Sequence, residues 1–214
     1  MTTQAQRTAI AVSKFLKTRR GAPCGGTLWG VKKLNRIASP ENLVWIDLEM
    51  TGLDVNTEVI LQAAVIITDN QLAPLEEFVC DIWQPESRLQ NMSPFVRDMH
   101  TKTGLLERSR ASRTDTGDAE KRLIERVAGW CSYPATVCGN TIWQDRRFIE
   151  KHMPGLDRIL HYRMVDVSAL KILATRWYAD RPGFAKSKDG EHDALVDIRN
   201  SIAELAHYRK TILQ

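Results

Sequence analysis

The apolar run at residues 59–68 constrains the fold more than any other segment of this chain. The run is almost continuously hydrophobic, whereas a strand with one face in water alternates apolar and polar residues. It therefore predicts a strand that is covered on both faces. Such strands belong to the sheets of α/β proteins, where helices pack on either side.

The chain from about residue 42 onwards alternates predicted strands and helices. Strands are predicted at residues 43–49, 59–68, 75–83, 136–138 and 161–165. Helices are predicted from about residue 116 or 118 to 128 and at 145–152, 168–177 and 193–209, with a polar loop at 179–191. Strands first, followed by strand–helix alternation, is the order of an α/β domain.

The positive charge of the chain is confined to its first 40 residues. The chain has 30 Lys and Arg residues against 26 Asp and Glu, and eight of the basic residues but no acidic one lie in residues 1–40. Residues 41–214 are therefore net acidic. A basic, hydroxyl-containing segment without acidic residues is typical of a mitochondrial transit peptide. A basic arm that touches RNA, an artefact upstream of the true start, and a cytoplasmic location are the alternatives.

This charge asymmetry predicts two segments, a basic N-terminal extension at residues 1–40 and a folded domain at 41–214. The domain contains no apolar run of the roughly 18 residues that a membrane span needs, so we expect no membrane association. Four scattered cysteines form no CxxC pair and are predicted to be free thiols in a reducing compartment: Cys24, Cys80, Cys131 and Cys138.

Two acidic residues on the first predicted strand indicate a metal site. Side chains alternate along a strand, so Asp47 and Glu49 point to one face, while Val44, Ile46 and Leu48 point to the other. Two carboxylates on one face of an apolar strand repel each other and are costly to bury unless a cation neutralises them. Carboxylate oxygens favour Mg²⁺ or Mn²⁺. An acid-rich strand edge without a ligand is the alternative.

Three further polar residues occupy positions at the ends of predicted elements. His192 precedes the last helix, and Asp197 lies one turn inside that helix. Asp145 follows a buried strand at the start of another helix. Taken singly, each residue also has a purely structural interpretation: a solvated histidine, an aspartate that favours the helix dipole, and an N-cap.

Taken together, Asp47-x-Glu49, Asp145 and His192-x4-Asp197 resemble the motifs of DEDD-type 3′→5′ exonucleases of the histidine subclass. Longer segments within residues 42–212 resemble the oligoribonuclease family, which degrades very short RNA: WIDLEMTGLD, GNTIWQDRRF, HYRMVDVSALK and HDALVDIRNSIAELAHYR. The resemblance implies a ribonuclease H-like exonuclease fold, in which helices flank a central mixed β-sheet.

The resemblance also implies a mechanism that the residue types support. Two divalent cations, Mg²⁺ or Mn²⁺, would be held by four carboxylates: Asp47, Glu49, Asp145 and Asp197. Two such ions stabilise the attacking and leaving oxygens of an in-line displacement at phosphorus. His192 would be the general base, because an unperturbed histidine titrates near neutral pH. The products would be nucleoside 5′-monophosphates.

The resemblance extends to residues that would contact a short single-stranded RNA. Leu53 corresponds to an apolar wedge against the bases, and Phe95 stands where a stacking Trp is frequent. Three residues correspond to a cap on the terminal 5′-phosphate, which would favour dinucleotides: Thr141, Arg163 and Ser168. An arginine with hydroxyl donors is a sensible phosphate clamp.

Tyr162 corresponds to an aromatic residue that a second subunit supplies, which implies a functional homodimer. Strand alternation predicts that Tyr162 and Arg163 project to opposite sides. A packed strand end is the alternative for both residues.

One departure from the family pattern lies outside the catalytic positions: Gln62 stands where a Glu is frequent. Two rival functions stay open, a DNA-directed exonuclease of the proofreading type and a scaffold that keeps the fold without turnover, such as an organellar RNA-particle assembly factor. The net acidic domain and the phosphate-cap residues count against the first rival. The complete set of carboxylates counts against the second.

Overall fold

The computed structural model describes residues 38–186 and 192–213, which form a five-stranded mixed sheet flanked by helices. The strands are β1 (Leu43–Met50), β2 (Ile60–Thr68), β3 (Pro74–Asp81), β4 (Ala135–Gly139) and β5 (Leu160–Asp166), in the order β3-β2-β1-β4-β5. The first three strands pair antiparallel, while β4 is parallel to both β1 and β5. The predicted α/β architecture is confirmed.

Eight helices are described, and the longest lie on the two faces of the sheet. They are α1 (Glu86–Leu89), α2 (Pro94–Lys102), α3 (Leu105–Ala111), α4 (Thr116–Trp130), α5 (Ile142–His152), α6 (Pro154–Asp157), α7 (Val167–Trp177) and α8 (Ala194–Thr211). All nine residues of β2 are buried, which confirms the prediction of a strand covered on both faces.

The alternation of side chains along β1 divides the core into two layers. Val44, Ile46 and Leu48 belong to the layer that contains residues of α4 and α5. Trp45 belongs to the opposite layer, together with residues of α7 and α8. Asp47 and Glu49 share the parity of Trp45, so they lie on the face that α8 covers.

The structure adds helices α1 to α3 and α6, which the sequence patterns do not predict. Helix α2 begins at Pro94 after Ser93, whose side chain accepts a hydrogen bond from Val96 N at 3.3 Å. Helices α1 and α6 have four residues each. Such short segments bury too few residues to show a 3.6-residue period, and isolated helices of this length are marginal in water.

The predictions for the N-terminal segment fall almost entirely outside the described residues. The first described residue is Ala38, and Ser39 pairs with Cys131 in an isolated parallel bridge. The boundary near residue 40 and the mitochondrial destination therefore stay predictions. Within the described residues no helix has both the length and the apolar character needed to cross a membrane.

Three of the cysteines are buried free thiols, as predicted: Cys80, Cys131 and Cys138. Burial raises the pKa of Cys80 to about 11, so this thiol stays protonated at neutral pH. Cys24 lies outside the described residues.

Candidate active site

The candidate site lies where β1 extends beyond its parallel neighbour β4. The β1–β4 pairing covers only Leu43 to Trp45, so the following part of β1 is without a β4 partner on that side. The side chain of Asp145 takes the place of the missing strand partner, because its Oδ1 atom accepts a hydrogen bond from Leu48 N at 2.9 Å. Asp145 is buried at the first turn of α5. Its side chain thus binds β1 and is not the N-cap of its own helix, which is Thr141.

His192 and Asp197 approach the same site from the start of α8. The N-cap of that helix is Asp193, and its Oδ1 atom accepts hydrogen bonds from Leu195 N and Val196 N. His192 has a left-handed backbone with a φ of 67°, and its N–H donates to Asp197 Oδ2 at 3.0 Å. Glu49, His192 and Asp197 each offer a ligand atom within 4.8 Å of the others.

Burial and mutual repulsion of the carboxylates favour a cation at this site. Burial raises the pKa of Asp47 well above its ordinary value, and the charges of Asp145, Glu49 and Asp197 add to this shift. Burial and the charges of Asp197 and Asp145 raise the pKa of Glu49 to about 8. Burial also raises the pKa of Asp145 to about 7, although the hydrogen bond from Leu48 opposes the shift. Each shift means that the ionised form is destabilised.

These four carboxylates fit a divalent-cation site. They supply only oxygen ligands, and a histidine ring lies beside two of them. The ammonium of Lys186 contacts Asp197 Oδ1 at 2.5 Å and opposes the raised pKa values of Asp47 and Glu49. A positive charge therefore already stabilises this cluster, and a doubly charged ion would do so more strongly.

The structure also brings together two of the predicted phosphate-binding residues, Thr141 and Ser168. Thr141 N donates to Ser168 Oγ at 3.0 Å, and the two hydroxyl oxygens lie 3.1 Å apart. Ser168 Oγ in turn donates to Asn140 Oδ1 at 3.1 Å. These residues follow the carboxyl ends of β4 and β5, beside the helix that carries Asp145.

The prediction that Tyr162 and Arg163 project to opposite sides is wrong. Both side chains are exposed, and the guanidinium of Arg163 lies 4.8 Å from the centre of the Tyr162 ring. The reason is a bulge: Ala135 pairs with Leu160 and Val137 pairs with Met164, so β5 has two extra residues in this interval. Simple alternation does not apply within a bulge.

Leu53 and Phe95 are strongly exposed, at 71% and 76% of their surface. Leu53 lies in the loop after β1, where its carbonyl oxygen accepts a hydrogen bond from Gln144 Nε2 at 2.8 Å. This contact attaches the loop to α5, one residue before Asp145. Phe95 lies in the first turn of α2. Exposed apolar side chains of this size are available for contact with a ligand.

Comparisons with known proteins find exonucleases and oligoribonucleases. The RNase T exonuclease family model matches residues 44–205. An oligoribonuclease of Vibrio parahaemolyticus is 48% identical over 179 residues, which cover 82% of this chain and 98% of that protein. An oligoribonuclease of Francisella tularensis is 46% identical over 177 residues, with the same coverage.

This chain belongs to the oligoribonuclease family. It is a metal-dependent hydrolytic exonuclease. The fold is shared more widely: Exonuclease I of E. coli in complex with a dA13 oligonucleotide superposes with a TM-score of 0.63 at 15% identity. That alignment covers 81% of this chain but only 41% of Exonuclease I.

Two members of the site in this oligoribonuclease-family chain were not predicted from its sequence. His100 on α2 is fully buried, and its Nε2 atom contacts Met50 O at 2.8 Å, directly after Glu49. Burial lowers the pKa of His100, which favours the neutral ring. Lys186 comes before His192 in the chain, and its ammonium contacts Asp197. Neither residue lies in a pattern with periodicity, so only spatial proximity identifies them.

The raised pKa values predict that the metal-free protein loses stability as the pH rises. Glu49 and Asp145 bind protons more tightly in the folded state, with pKa values of about 8 and 7 against ordinary values of 4.5 and 3.8. Their contribution to stability is full below pH 4 and is lost as the pH rises through the folded-state values. In EDTA, the unfolding temperature should therefore be lower at pH 8 than at pH 5.

The Glu49→Gln variant is the control for this effect. An amide does not titrate, so the variant should lose less stability between the two pH values than the unchanged chain does. Adding Mn²⁺ at pH 8 should raise the unfolding temperature of the unchanged chain, because metal binding needs the ionised carboxylates. An unfolding temperature that is higher at pH 8 than at pH 5 in EDTA would contradict the assignment.

Proposed function

We propose that this chain is a 3′→5′ exoribonuclease that degrades very short RNA to nucleoside 5′-monophosphates, with dinucleotides favoured. The observation that carries the proposal is a cluster of four carboxylates and one histidine at the end of β1. Its members are Asp47, Glu49, Asp145, Asp197 and His192. The names of the Vibrio parahaemolyticus and Francisella tularensis relatives support an RNA substrate, since both are oligoribonucleases.

The four carboxylates would hold two divalent cations, Mg²⁺ or Mn²⁺. When bound, such a pair stabilises the attacking and leaving oxygens of an in-line displacement. His192 takes a proton from the attacking water, whose oxygen then joins phosphorus while the bond from phosphorus to the 3′ oxygen breaks. The phosphate stays on the 5′ oxygen of the released nucleotide. The 3′ oxygen of the shortened RNA takes a proton from water, and His192 then releases its proton to the solvent.

The phosphate cap would be formed by Thr141, Ser168 and Arg163. The 3.1 Å separation of the Thr141 and Ser168 hydroxyl oxygens supports this group, because two donors this close together can bind one phosphate. Leu53 and Phe95 supply exposed apolar surface for bases. A DNA-directed exonuclease and a scaffold without turnover are the rival functions.

A time course with 5′-labelled RNAs of graded length tests the proposal. We expect rapid hydrolysis of dinucleotides in Mg²⁺ or Mn²⁺ and slow hydrolysis of 20-mers. Matched DNA oligonucleotides should be cleaved more slowly than RNA. Equal rates on a dinucleotide and a 20-mer would favour a general exonuclease, and no hydrolysis of any length with either metal would favour the scaffold.

Arg163→Ala is expected to lower kcat/KM on 5′-phosphorylated dinucleotides by about 10- to 100-fold, because a charge-assisted hydrogen bond contributes roughly 1.5–3 kcal/mol. Affinity for Mn²⁺, measured by calorimetry, should not change. Arg158→Ala, at another exposed arginine, is the control and should keep the rate. A dinucleotide without the 5′-phosphate should show little dependence on Arg163. Equal losses on both dinucleotides would contradict the cap.

We further propose that the active unit is a homodimer in which Tyr162 reaches the partner's substrate. Tyr162 is 72% exposed on β5, an edge strand of the sheet. Helix α7, which follows β5, exposes Ile172 and Trp177 at 52% and 68% of their surface. These exposed apolar side chains lie on two consecutive elements and support an interface, because removing apolar surface from water drives association.

Mixing two inactive variants tests whether Tyr162 acts across the interface. Tyr162→Ala and Asp47→Ala chains should each be inactive, whereas their heterodimer has one site with intact carboxylates and an intact partner tyrosine. When equal amounts of the two variants exchange subunits at random, half of the dimers are mixed, and each mixed dimer has one intact site out of two. Activity should therefore return to about a quarter of that of the unchanged protein. Demonstrated exchange without recovery would contradict the assignment of Tyr162.

A further inference from the structure

A neutral side chain separates two carboxylates on the face of the sheet that carries the candidate site. Glu49 on β1, Gln62 on β2 and Asp81 on β3 are direct cross-strand partners. Directly opposed side chains in an antiparallel pair have Cβ atoms about 5 Å apart. Gln62 is therefore a neighbour of the metal-site residue Glu49 on one side and of Asp81 on the other.

Both polar ends of the Gln62 amide are used in this position. Its Nε2 atom donates to Asp81 Oδ1 at 2.7 Å, and its Oε1 atom accepts from Ala194 N at 3.1 Å. Only 2% of Gln62 is exposed. Asp81 is itself held by Arg108, whose Nε atom donates to Asp81 Oδ2 at 3.1 Å. A continuous polar chain thus joins α3 to the start of α8.

The bond to Ala194 is important because Ala194 is the first residue of α8. The next two N–H groups of this helix are capped by Asp193, and the N–H of Asp197 donates to the carbonyl of Asp193. Gln62 binds the remaining N–H of the first turn and connects it to β2. This turn carries Asp197, and the N-cap Asp193 separates it from His192.

We propose that Gln62 is a positioning residue, which anchors the first turn of α8 to the sheet and thereby sets the place of Asp197 and His192 relative to Glu49. The proposal rests on the proposed roles of Asp197 and His192. An amide suits this position because it donates to Asp81 and accepts from Ala194 at the same time. An ionised glutamate would only accept, and it would repel both Asp81 and Glu49.

Gln62→Leu is the first test, with Gln84→Leu as its matched control. Gln84 is also a buried glutamine, but its Nε2 atom donates to Ile60 O on β2 and makes no bond to α8. In the metal-free Gln62→Leu protein, amide hydrogen exchange at residues 194–197 should become about tenfold faster. Affinity for Mn²⁺, measured by calorimetry, should fall about tenfold or more, the effect typical of residues that orient metal ligands. Gln84→Leu should change neither.

A reversal of the hydrogen bond provides a rescue test that does not depend on the folding of the leucine variant. Gln62→Glu alone should speed amide exchange at residues 194–197 of the metal-free protein about tenfold, because it loses the donor to Asp81 and adds a charge that repels Asp81 and Glu49. Combining it with Asp81→Asn restores a donor–acceptor pair at unchanged total charge, since Asn at position 81 donates to Glu at position 62. The exchange rate at residues 194–197 should then return to within about threefold of that in the unchanged chain.

Three results would overturn the proposal: unchanged exchange at residues 194–197 in Gln62→Leu, faster exchange with unchanged Mn²⁺ affinity, or no recovery in the double variant. None of these measurements requires RNA turnover. A failure of the proposed function, seen as absent RNA hydrolysis in the unchanged chain, is therefore distinguishable from a failure of this proposal.

Discussion

Asp47→Asn is expected to lower the rate of RNA hydrolysis by roughly 10³-fold or more, since metal-ion stabilisation of a transition state contributes several kcal/mol and each 1.4 kcal/mol is about tenfold. Burial and three neighbouring carboxylates already destabilise the ionised form of Asp47, as its raised pKa shows. Removing that charge should therefore also raise the unfolding temperature of the metal-free protein at pH 8.

The two readouts distinguish a metal ligand from a residue that only supports the fold. A structural residue would lose activity together with stability, whereas Asp47→Asn should lose activity and gain stability. Asp98→Asn is the control, because Asp98 is exposed on α2 and pairs with Lys102 at 2.6 Å. It should change both quantities little. Near-normal hydrolysis by Asp47→Asn would contradict the metal-site assignment.

His192→Asn is expected to lower kcat by roughly 10²–10⁴-fold, the usual contribution of a general base. Asparagine is preferred to alanine here because His192 has a φ of 67°, and asparagine tolerates this left-handed conformation. The carboxylates stay in place, so Mn²⁺ affinity should change little. The two measurements together separate a base from a metal ligand, since loss of a ligand would weaken metal binding as well.

His207→Asn is the matched control for this variant. His207 lies on the same helix, and its Nε2 atom contacts Pro182 O at 2.7 Å. It should keep near-normal kcat and Mn²⁺ affinity. The pH dependence gives a further check: the decline in kcat at low pH should weaken in His192→Asn if the ring accepts the proton. A fall in Mn²⁺ affinity as large as the fall in kcat would contradict the base assignment.

The strands and long helices could be predicted because their patterns are local. The apolar run of β2 predicts that the strand is buried on both faces. The alternation along β1 predicts that Asp47 and Glu49 lie on one side. The predicted helix at residues 193–209 corresponds to α8, in which Ile198 is buried in the core. In each case the residue spacing matches the period of the element, so burial and sequence pattern carry the same information.

The segment between β3 and α4 could not be predicted in the same way. Its helices are held by contacts to distant residues, such as the bond from Ser109 Oγ to Ile82 O at 2.7 Å. The buried His100 contacts Met50 O, 50 residues away. Helices of four to nine residues depend on such tertiary contacts more than on their own propensity.

Residue patterns were sufficient to predict the α/β class and the burial of β2 on both faces, and the family resemblance implies the acidic residues and the histidine of the site. How these residues come together depends on contacts between distant parts of the chain. Asp145 binds the main chain of Leu48 across 97 residues, and Gln62 binds the start of α8 across 132 residues. The bulge in β5 places Tyr162 against Arg163, where alternation predicts separation. Local patterns carry the period of one element, whereas these contacts depend on how separate elements pack and pair.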